Sequence, residues 1–198
     1  MAHVPKRHDG AALAISLFLL IAVLVVGVSA ARSAFDGEKA ARMERDQQLA
    51  AHAAEAALVD AERDIEGGTD AQRAAMFEPG SALGFVDGCG TGTPLSNLGL
   101  CLRQESGSPA WQRIDLAHDG ATVPLGRFTG ASMQVGQGSL PAALPRYIIE
   151  LIPFVRAGED ASSPAANFYR ITAIGFGAQN GTRVVLQSYY RKVKGGAP

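Results

Sequence analysis

The chain has 198 residues, a formal net charge of −1 and 47% hydrophobic residues. Its near-neutral charge excludes a global electrostatic attraction to nucleic acid or to an anionic membrane surface. The length suits one domain with a modest core plus an extended element. Many of the 23 glycines lie between positions 67 and 138, which indicates turns and loops there rather than packed helices.

The first predicted element is an apolar helix over residues 11–31, which reads AALAISLFLLIAVLVVGVSAA and contains no charge. A helix of this length reaches about 30 Å, the thickness of the hydrocarbon core of a bilayer. The segment therefore predicts a transmembrane helix. A secretory signal peptide is the alternative, because Ser29-Ala30-Ala31 resembles a cleavage site of small residues. The flanking charges do not decide the orientation.

The same helix is predicted to continue over residues 32–66 as an amphipathic half. This segment has no proline and is rich in good helix formers. Gly67-Gly68 marks its end. Small and apolar residues recur at spacings of three and four and predict one apolar stripe, formed by Ala50, Ala54, Leu58, Ala61 and Ile65.

Residues 67–198 are predicted to form a globular head, loop-rich over 67–146 and built of antiparallel strands over 147–192. Arg127–Val135 predicts one further, weaker strand. Asn180-Gly181 is a strong turn signal, so the last two strands should form a hairpin. The strand predictions rest on β-branched and aromatic residues in three runs, Tyr147–Phe154, Phe168–Phe176 and Thr182–Lys192.

Cys89 and Cys101 are the only cysteines. Their spacing does not fit a zinc site, and no histidine lies near either of them. Two cysteines in an exported, loop-rich domain suggest a disulfide, with a pair of reduced buried thiols as the alternative. A disulfide would place the head on the oxidising side of the membrane and the N-terminal leader in the cytoplasm.

The sequence contains no His-Glu-x-x-His, Walker A or Gly-x-Ser-x-Gly motif. We therefore predict no enzymatic activity, no catalytic residue, no metal and no cofactor. The four histidines are scattered along the chain. A cluster of carboxylates near the end of the predicted helix is interpreted as a solvated face, formed by Asp60, Glu62, Asp64 and Glu66.

Three segments resemble known proteins. The short basic leader that ends at Gly10, followed by the apolar helix, resembles the type III signal of type IV pilins. Two further segments, RDQQLAAHAAEAALVDAERDIEGG (45–68) and YRITAIGFGAQNGTRVVLQSYYRK (169–192), resemble the PilX family of type IV pilus assembly proteins. This resemblance implies an α+β fold, the pilin-like ladle, whose long N-terminal helix is transmembrane in its first half and packs on a small antiparallel sheet.

The resemblance also implies how the N-terminus is processed. Residues 1–10 would be a prepilin leader, prepilin peptidase would cut between Gly10 and Ala11, and the new amine of Ala11 would be methylated. Major pilins carry a glutamate at the fifth position of the mature chain, where this sequence has Ile15. That glutamate pairs with the N-terminal amine of a neighbouring subunit. Its absence favours a minor pilin over the main filament subunit.

The function implied by the resemblance is that of a minor pilin, which acts in pilus initiation or near the tip by helix packing. Its partners would be other minor and major pilins, prepilin peptidase and inner-membrane lipid, and not nucleic acid. It would be a single-pass inner-membrane protein with a periplasmic head, later incorporated into the pilus. Two alternatives stay open: a type II secretion pseudopilin, and a periplasmic binding or enzyme domain on an uncleaved anchor.

Overall fold

A computed structural model describes residues 9–104, 107–118, 120–154, 166–179 and 181–192. Contacts divide the chain between Arg45 and Asp46 into an N-terminal unit and a C-terminal unit. Helix α1 (Asp9–Glu66) contributes to both units. The predicted leader is described only from residue 9 onward, so residues 1–8 lie outside the described part.

The N-terminal unit consists of the first part of α1. Every side chain from 12 to 45 is exposed to solvent. Large apolar residues such as Phe18 and Leu24 would normally be buried in a water-soluble protein. Because these apolar side chains are exposed here, residues 12–31 of α1 suit an apolar environment, which a membrane or another molecule would supply.

In the C-terminal unit, α1 ends at a glycine pair. Gly67 and Gly68 have φ values of 133° and 44°, in a backbone region that residues other than glycine rarely adopt. Their N–H groups donate to the carbonyls of Asp64 and Arg63 at 3.1 and 3.0 Å, which satisfies carbonyls that the helix end leaves free.

A second, short helix follows this stop almost at once. Helix α2 (Ala71–Met76) starts after Asp70, whose carboxylate accepts hydrogen bonds from the N–H groups of Gln72 and Arg73 at 2.9 and 3.1 Å. An aspartate at this position satisfies N–H groups that the first helical turn leaves unpaired. The cap thereby fixes where α2 begins and turns Arg73 toward α1.

The sheet of the C-terminal unit is mixed. Strands β3 (Arg146–Phe154), β4 (Ala166–Phe176) and β5 (Arg183–Arg191) pair antiparallel in that order. The short strand β1 (Leu100–Leu102) pairs parallel with the other edge of β3, and β2 (Val123–Pro124) pairs antiparallel with the start of β3. A four-residue helix, α3 (Ala110–Arg113), lies between β1 and β2.

The structure confirms an α+β fold with a long N-terminal apolar helix and a small sheet. The antiparallel core of the sheet follows the three predicted runs within one or two residues. The weaker strand predicted at Arg127–Val135 is wrong, because Gly126 and Gly130 adopt positive φ and the segment turns. Strand β1 was not predicted, since three residues are too few for an alternation pattern. Asn180 of the predicted hairpin turn lies outside the described residues.

Both faces of the sheet are covered at its central strands, β3 and β4. The inner face, which includes Tyr169 of β4, packs against α1 and against Phe77 and Phe85. The rings of Phe77, Phe85 and Tyr169 lie 5.6–6.0 Å apart in pairs. The outer face carries Ile148, Ile174 and Phe176 and is covered by α3 and the residues that follow it. The second layer explains why the side chains of β4 are buried on both of its faces near Ile174.

The helix approaches the sheet most closely at Gly175 of β4. A Cβ atom placed on Gly175 would lie 2.1 Å from the carbonyl oxygen of Ala50 and 2.4 Å from the backbone nitrogen of Ala54. Glycine on the strand and alanines on the helix therefore let the two backbones pack directly against each other. Ala53 and Ala57 are buried along the same side of the helix.

Substitution Gly175→Ala should destabilise the C-terminal unit, because the added methyl group overlaps helix backbone, which cannot rotate away. We expect a loss of about 1–3 kcal/mol in the free energy of unfolding, typical of overpacking. Thermal unfolding of the full chain in detergent, followed by circular dichroism, measures this loss. The control is Gly181→Ala, where a Cβ atom meets nothing within 4 Å. Equal melting temperatures for the two variants would contradict the close approach at Gly175.

Candidate interaction surface and site residues

Within the described residues, one helix is long and apolar enough to cross a membrane. It covers Ala12–Glu66, and its most apolar 18-residue window has a mean hydropathy of 2.8 with none of the window buried. The exposed side chains of residues 12–31 form an uncharged surface around the whole helix. This surface is the main candidate for contacts with lipid or with other helices.

The residues predicted to be processed lie at the start of this helix. Gly10 and Ala11 are helical in backbone, and Ile15 is 61% exposed. No acidic side chain occurs between residues 11 and 31, so this part of the helix carries no carboxylate. Cleavage after Gly10, methylation at Ala11 and the role of Ile15 stay predictions.

Three aspartates lie on the buried side of α1 together with its alanines. Asp46, Asp60 and Asp64 share that side because they follow the spacing of three and four that runs 46, 50, 53, 57, 60, 64. We call these six positions the helix seam. Each aspartate of the seam binds a different segment of the C-terminal unit, so the helix is joined to the unit at three levels.

Asp64 forms the most deeply buried of these connections. Its carboxylate and the guanidinium of Arg73 are both fully buried, with the Arg73 Nη2 2.7 Å from Asp64 Oδ2. The Tyr147 hydroxyl donates to the same oxygen at 3.0 Å. Burial raises the pKa of Asp64, while the charge of Arg73 works in the opposite direction. Burial also raises the pKa of Tyr147 well above its ordinary value.

The guanidinium of Arg73 has every side occupied. Its Nη1 donates to the carbonyls of Ser96 and Leu98, both at 2.8 Å. The rings of Phe77 and Phe128 lie 5.2 and 4.2 Å from its central carbon, within the range of cation–π attraction. Arg73 thus connects α1 with the loop that contains Ser96 and Leu98.

Asp60 and Asp46 bind the backbone of two further loops. Asp60 accepts hydrogen bonds from the Gly126 N–H at 2.7 Å and from the Thr129 hydroxyl. Asp46 accepts one from the Ala178 N–H at 2.6 Å, in the connection between β4 and β5. Hydrogen bonds from the Thr182 hydroxyl, and then from backbone N–H groups, lower the pKa of Asp46.

The interpretation of the helix carboxylates as a solvated face is therefore wrong for Asp60 and Asp64, which are 2% and 0% exposed. Glu66 is exposed and accepts a hydrogen bond from the Tyr190 hydroxyl at 2.8 Å. The sequence did contain a signal that Asp60 and Asp64 are buried, since both continue the spacing of the alanines on α1. Their loop partners, more distant in sequence, gave no such signal.

Cys89 and Cys101 form a disulfide, with their Cα atoms 4.0 Å apart. Cys101 lies on β1, and the residues between the two cysteines include Ser96 and Leu98, whose carbonyls accept from Arg73. This loop is thus attached to the sheet by a covalent bond and to α1 through a buried ion pair.

Among the residues that the structure describes, the side chains able to bind a metal do not converge on a site. In the ranges given above, no group of three or more His, Cys, Asp or Glu residues could hold a metal ion. His52 and His118 are exposed and lie near Glu55 and Asp115, respectively. His3 and His8 lie outside the described part of the chain.

Removing the Arg73 charge should strongly destabilise the C-terminal unit, because Arg73→Met leaves a buried carboxylate without its partner. We expect a loss of about 3–5 kcal/mol in the free energy of unfolding. Chemical denaturation of the full chain in detergent measures the loss. The control is Arg113→Met, which removes a partly exposed pair with Asp87 and should cost less than about 1 kcal/mol. Similar losses for the two variants would contradict the role of Arg73.

Asp46 should contribute stability in a pH-dependent manner. Because its pKa is lower in the folded state than its ordinary value of 3.8, the stabilisation is present above that value and is lost as the pH falls through the folded-state pKa. Asp46→Asn should therefore lower the free energy of unfolding at pH 6, and the gap to wild type should narrow progressively as the pH falls below about 4. Asp36→Asn, at an exposed position, serves as the control at pH 6. A gap that stays constant from pH 6 to pH 3 would contradict the prediction.

Comparison with known proteins gives one family match. Residues 97–192 match the family described as type IV pilus assembly protein PilX, C-terminal part. No curated protein and no solved structure matches the chain. The match contains all of β1 to β5 and includes the segment 169–192 that resembles this family in sequence. The chain therefore contains a PilX C-terminal domain, which indicates involvement in type IV pilus assembly.

Proposed function

We propose that the chain is a minor pilin, which enters the type IV pilus at initiation or near the tip by packing its N-terminal helix against other pilins. The observation that carries this proposal is the exposed apolar segment of α1 on a chain with a PilX C-terminal domain. A membrane alone would account for such a segment. A pilus assembly protein additionally needs a surface that exchanges lipid for other subunits, and residues 12–31 offer an uncharged one.

The proposed location follows from the same segment and from the disulfide. Before assembly, the apolar part of α1 would hold the chain in the inner membrane, where one span of this length is sufficient. The disulfide of Cys89 and Cys101 supports a head in the oxidising periplasm, because disulfides are rare in the cytosol. Later, the chain would leave the membrane as part of the pilus.

The proposed processing concerns the first eleven residues. Prepilin peptidase would remove residues 1–10 and the amine of Ala11 would be methylated. With Ile15 in place of a glutamate, the mature chain has no carboxylate to offer the N-terminal amine of a neighbouring pilin of its own kind. This supports a subunit present in few copies rather than one that repeats along the filament.

The mature N-terminus tests this proposal directly. Mass spectrometry of the chain recovered from sheared pili and from membranes should find a polypeptide that begins at methylated Ala11. Gly10→Val should prevent the cut, because the residue before the bond is then branched. Gly37→Val, which places the same side chain where nothing lies within 4 Å, should leave the cut intact. A chain that starts at Met1 or Arg32 in the wild type would contradict the proposal.

Loss of the gene product should reduce pilus number. A strain without the chain should assemble few or no surface pili, and the wild-type chain supplied in trans should restore them. Purified pili should contain the chain in far fewer copies than the main subunit. Normal piliation without the chain, together with a defect in protein secretion, would instead favour the pseudopilin alternative.

A further inference from the structure

Strand β5 ends the sheet with a long, regular edge. It is the last strand in the order β1-β3-β4-β5, and within the described residues no strand pairs with its outer side. Its pairing with β4 is unbroken over nine positions, from Phe176–Arg183 to Phe168–Arg191. Prolines and bulges are two features by which natural edge strands avoid further pairing. Strand β5 contains no proline, and its register with β4 shows no bulge.

The register fixes which backbone groups face the open side. The Gly177 N–H donates to the Thr182 carbonyl at 2.9 Å, which makes this a hydrogen-bonded pair. Bonding to β4 then recurs at every second residue of β5. The alternate residues direct their N–H and C=O groups to the open edge, and these are Arg183, Val185, Gln187, Tyr189 and Arg191.

The side chains of β5 alternate between the two faces of the sheet and leave apolar surface exposed on both faces. Val185 and Tyr189 are 46% and 65% exposed. On the opposite face, Val184 and Leu186 are only half-buried, whereas Ala173 on the neighbouring strand is fully buried. One more strand beside β5 would therefore cover apolar side chains on both faces and pair the free backbone groups.

Charge determines which strand fits there. The seven central residues, Val184–Tyr190, carry no charge, while Arg183 and Arg191 are exposed cations at the two ends. If two copies of β5 paired antiparallel about Gln187, Arg183 of each copy would lie opposite Arg191 of the other. Like charges directly opposite each other destabilise a strand pair. The ends thus disfavour a second copy and favour carboxylates.

Protection of the edge by charge is the competing explanation. Charges that protect an edge are effective within the strand, where an incoming strand would have to bury them. Here the centre is uncharged, and one cation is directed elsewhere: the Nζ of Lys192 donates to the carbonyl of Ile65 at 2.9 Å. The central guanidinium carbon of Arg191 lies 5.7 Å from the centre of the Phe168 ring, and Arg191 is exposed beside the edge.

We propose that β5 is a strand-addition site for an extended segment of a different pilus component, with carboxylates eight positions apart that face Arg183 and Arg191. Main-chain hydrogen bonds would supply the affinity, and the two terminal ion pairs would select the partner and its register. That the partner is a pilus component rests on the proposed function, whereas the site itself rests on the geometry and charge of β5.

Two peptides and the full chain in detergent test the site. The first peptide has nine residues of alternating threonine and valine with glutamate at both ends, and the second replaces both glutamates with lysine. The glutamate peptide should slow amide exchange of Val185, Gln187 and Tyr189 at least tenfold and bind at least tenfold more tightly than the lysine peptide. The variant Arg183→Glu/Arg191→Glu should reverse this preference.

Absence of protection at these amides, or equal binding of the two peptides, would overturn the proposal.

A self-pairing test needs no added ligand: Arg191→Glu lets each Arg183 meet a glutamate of the second copy. A cysteine at Gln187 should then form a crosslinked dimer at least tenfold more readily than in a chain that keeps Arg191. An unchanged yield would also overturn the proposal. Both experiments use the isolated chain, so their failure would leave the minor-pilin function untouched.

Discussion

The C-terminal unit depends on one constraint, the close packing of the α1 backbone on the sheet along the helix seam. Gly175 removes the side chain that would separate strand from helix, and Ala50 and Ala54 keep the facing helix surface flat. At this distance, little room remains for large side chains. The remaining positions of the helix seam are aspartates, since a short carboxylate reaches its partners without separating helix and sheet.

The seam also explains why the loop-rich part of the chain has a defined structure. Buried carboxylates are stable only when paired and hydrogen-bonded. Asp60 therefore requires the loop with Gly126 and Thr129 in one position, and Asp64 requires Arg73 of α2 in one position. Arg73 extends this requirement to the disulfide-closed loop through the carbonyls of Ser96 and Leu98. Helix, loops and sheet therefore form one cooperative unit, while α1 before Asp46 belongs to a separate unit and exposes its side chains from residue 12 to residue 45.

Strong periodic signals made the helix and the three long strands predictable from sequence. The apolar run, the alanine spacing and the alternation around Ile171 each repeat several times within one element. The sequence did not reveal β1, the burial of Asp60 and Asp64, or the partnership of Arg73 with Asp64. Strand β1 and Asp60 depend on contacts with segments far apart in the chain. Arg73 is only nine residues from Asp64, but it lies beyond the Gly67-Gly68 stop, and an aspartate on a helix looks the same whether water or a buried arginine faces it. The edge of β5 became visible only through its register.

We propose that α1 serves two purposes in separate segments: residues from Asp46 on pack within the C-terminal unit, whereas the exposed segment before Asp46 would pack against other pilins. Amide hydrogen exchange of the full chain, measured in detergent and again in assembled pili, tests this directly. We expect slow exchange at residues 50–64 in both states and slow exchange at residues 32–45 only in pili. Equal protection of residues 32–45 in the two states would contradict it.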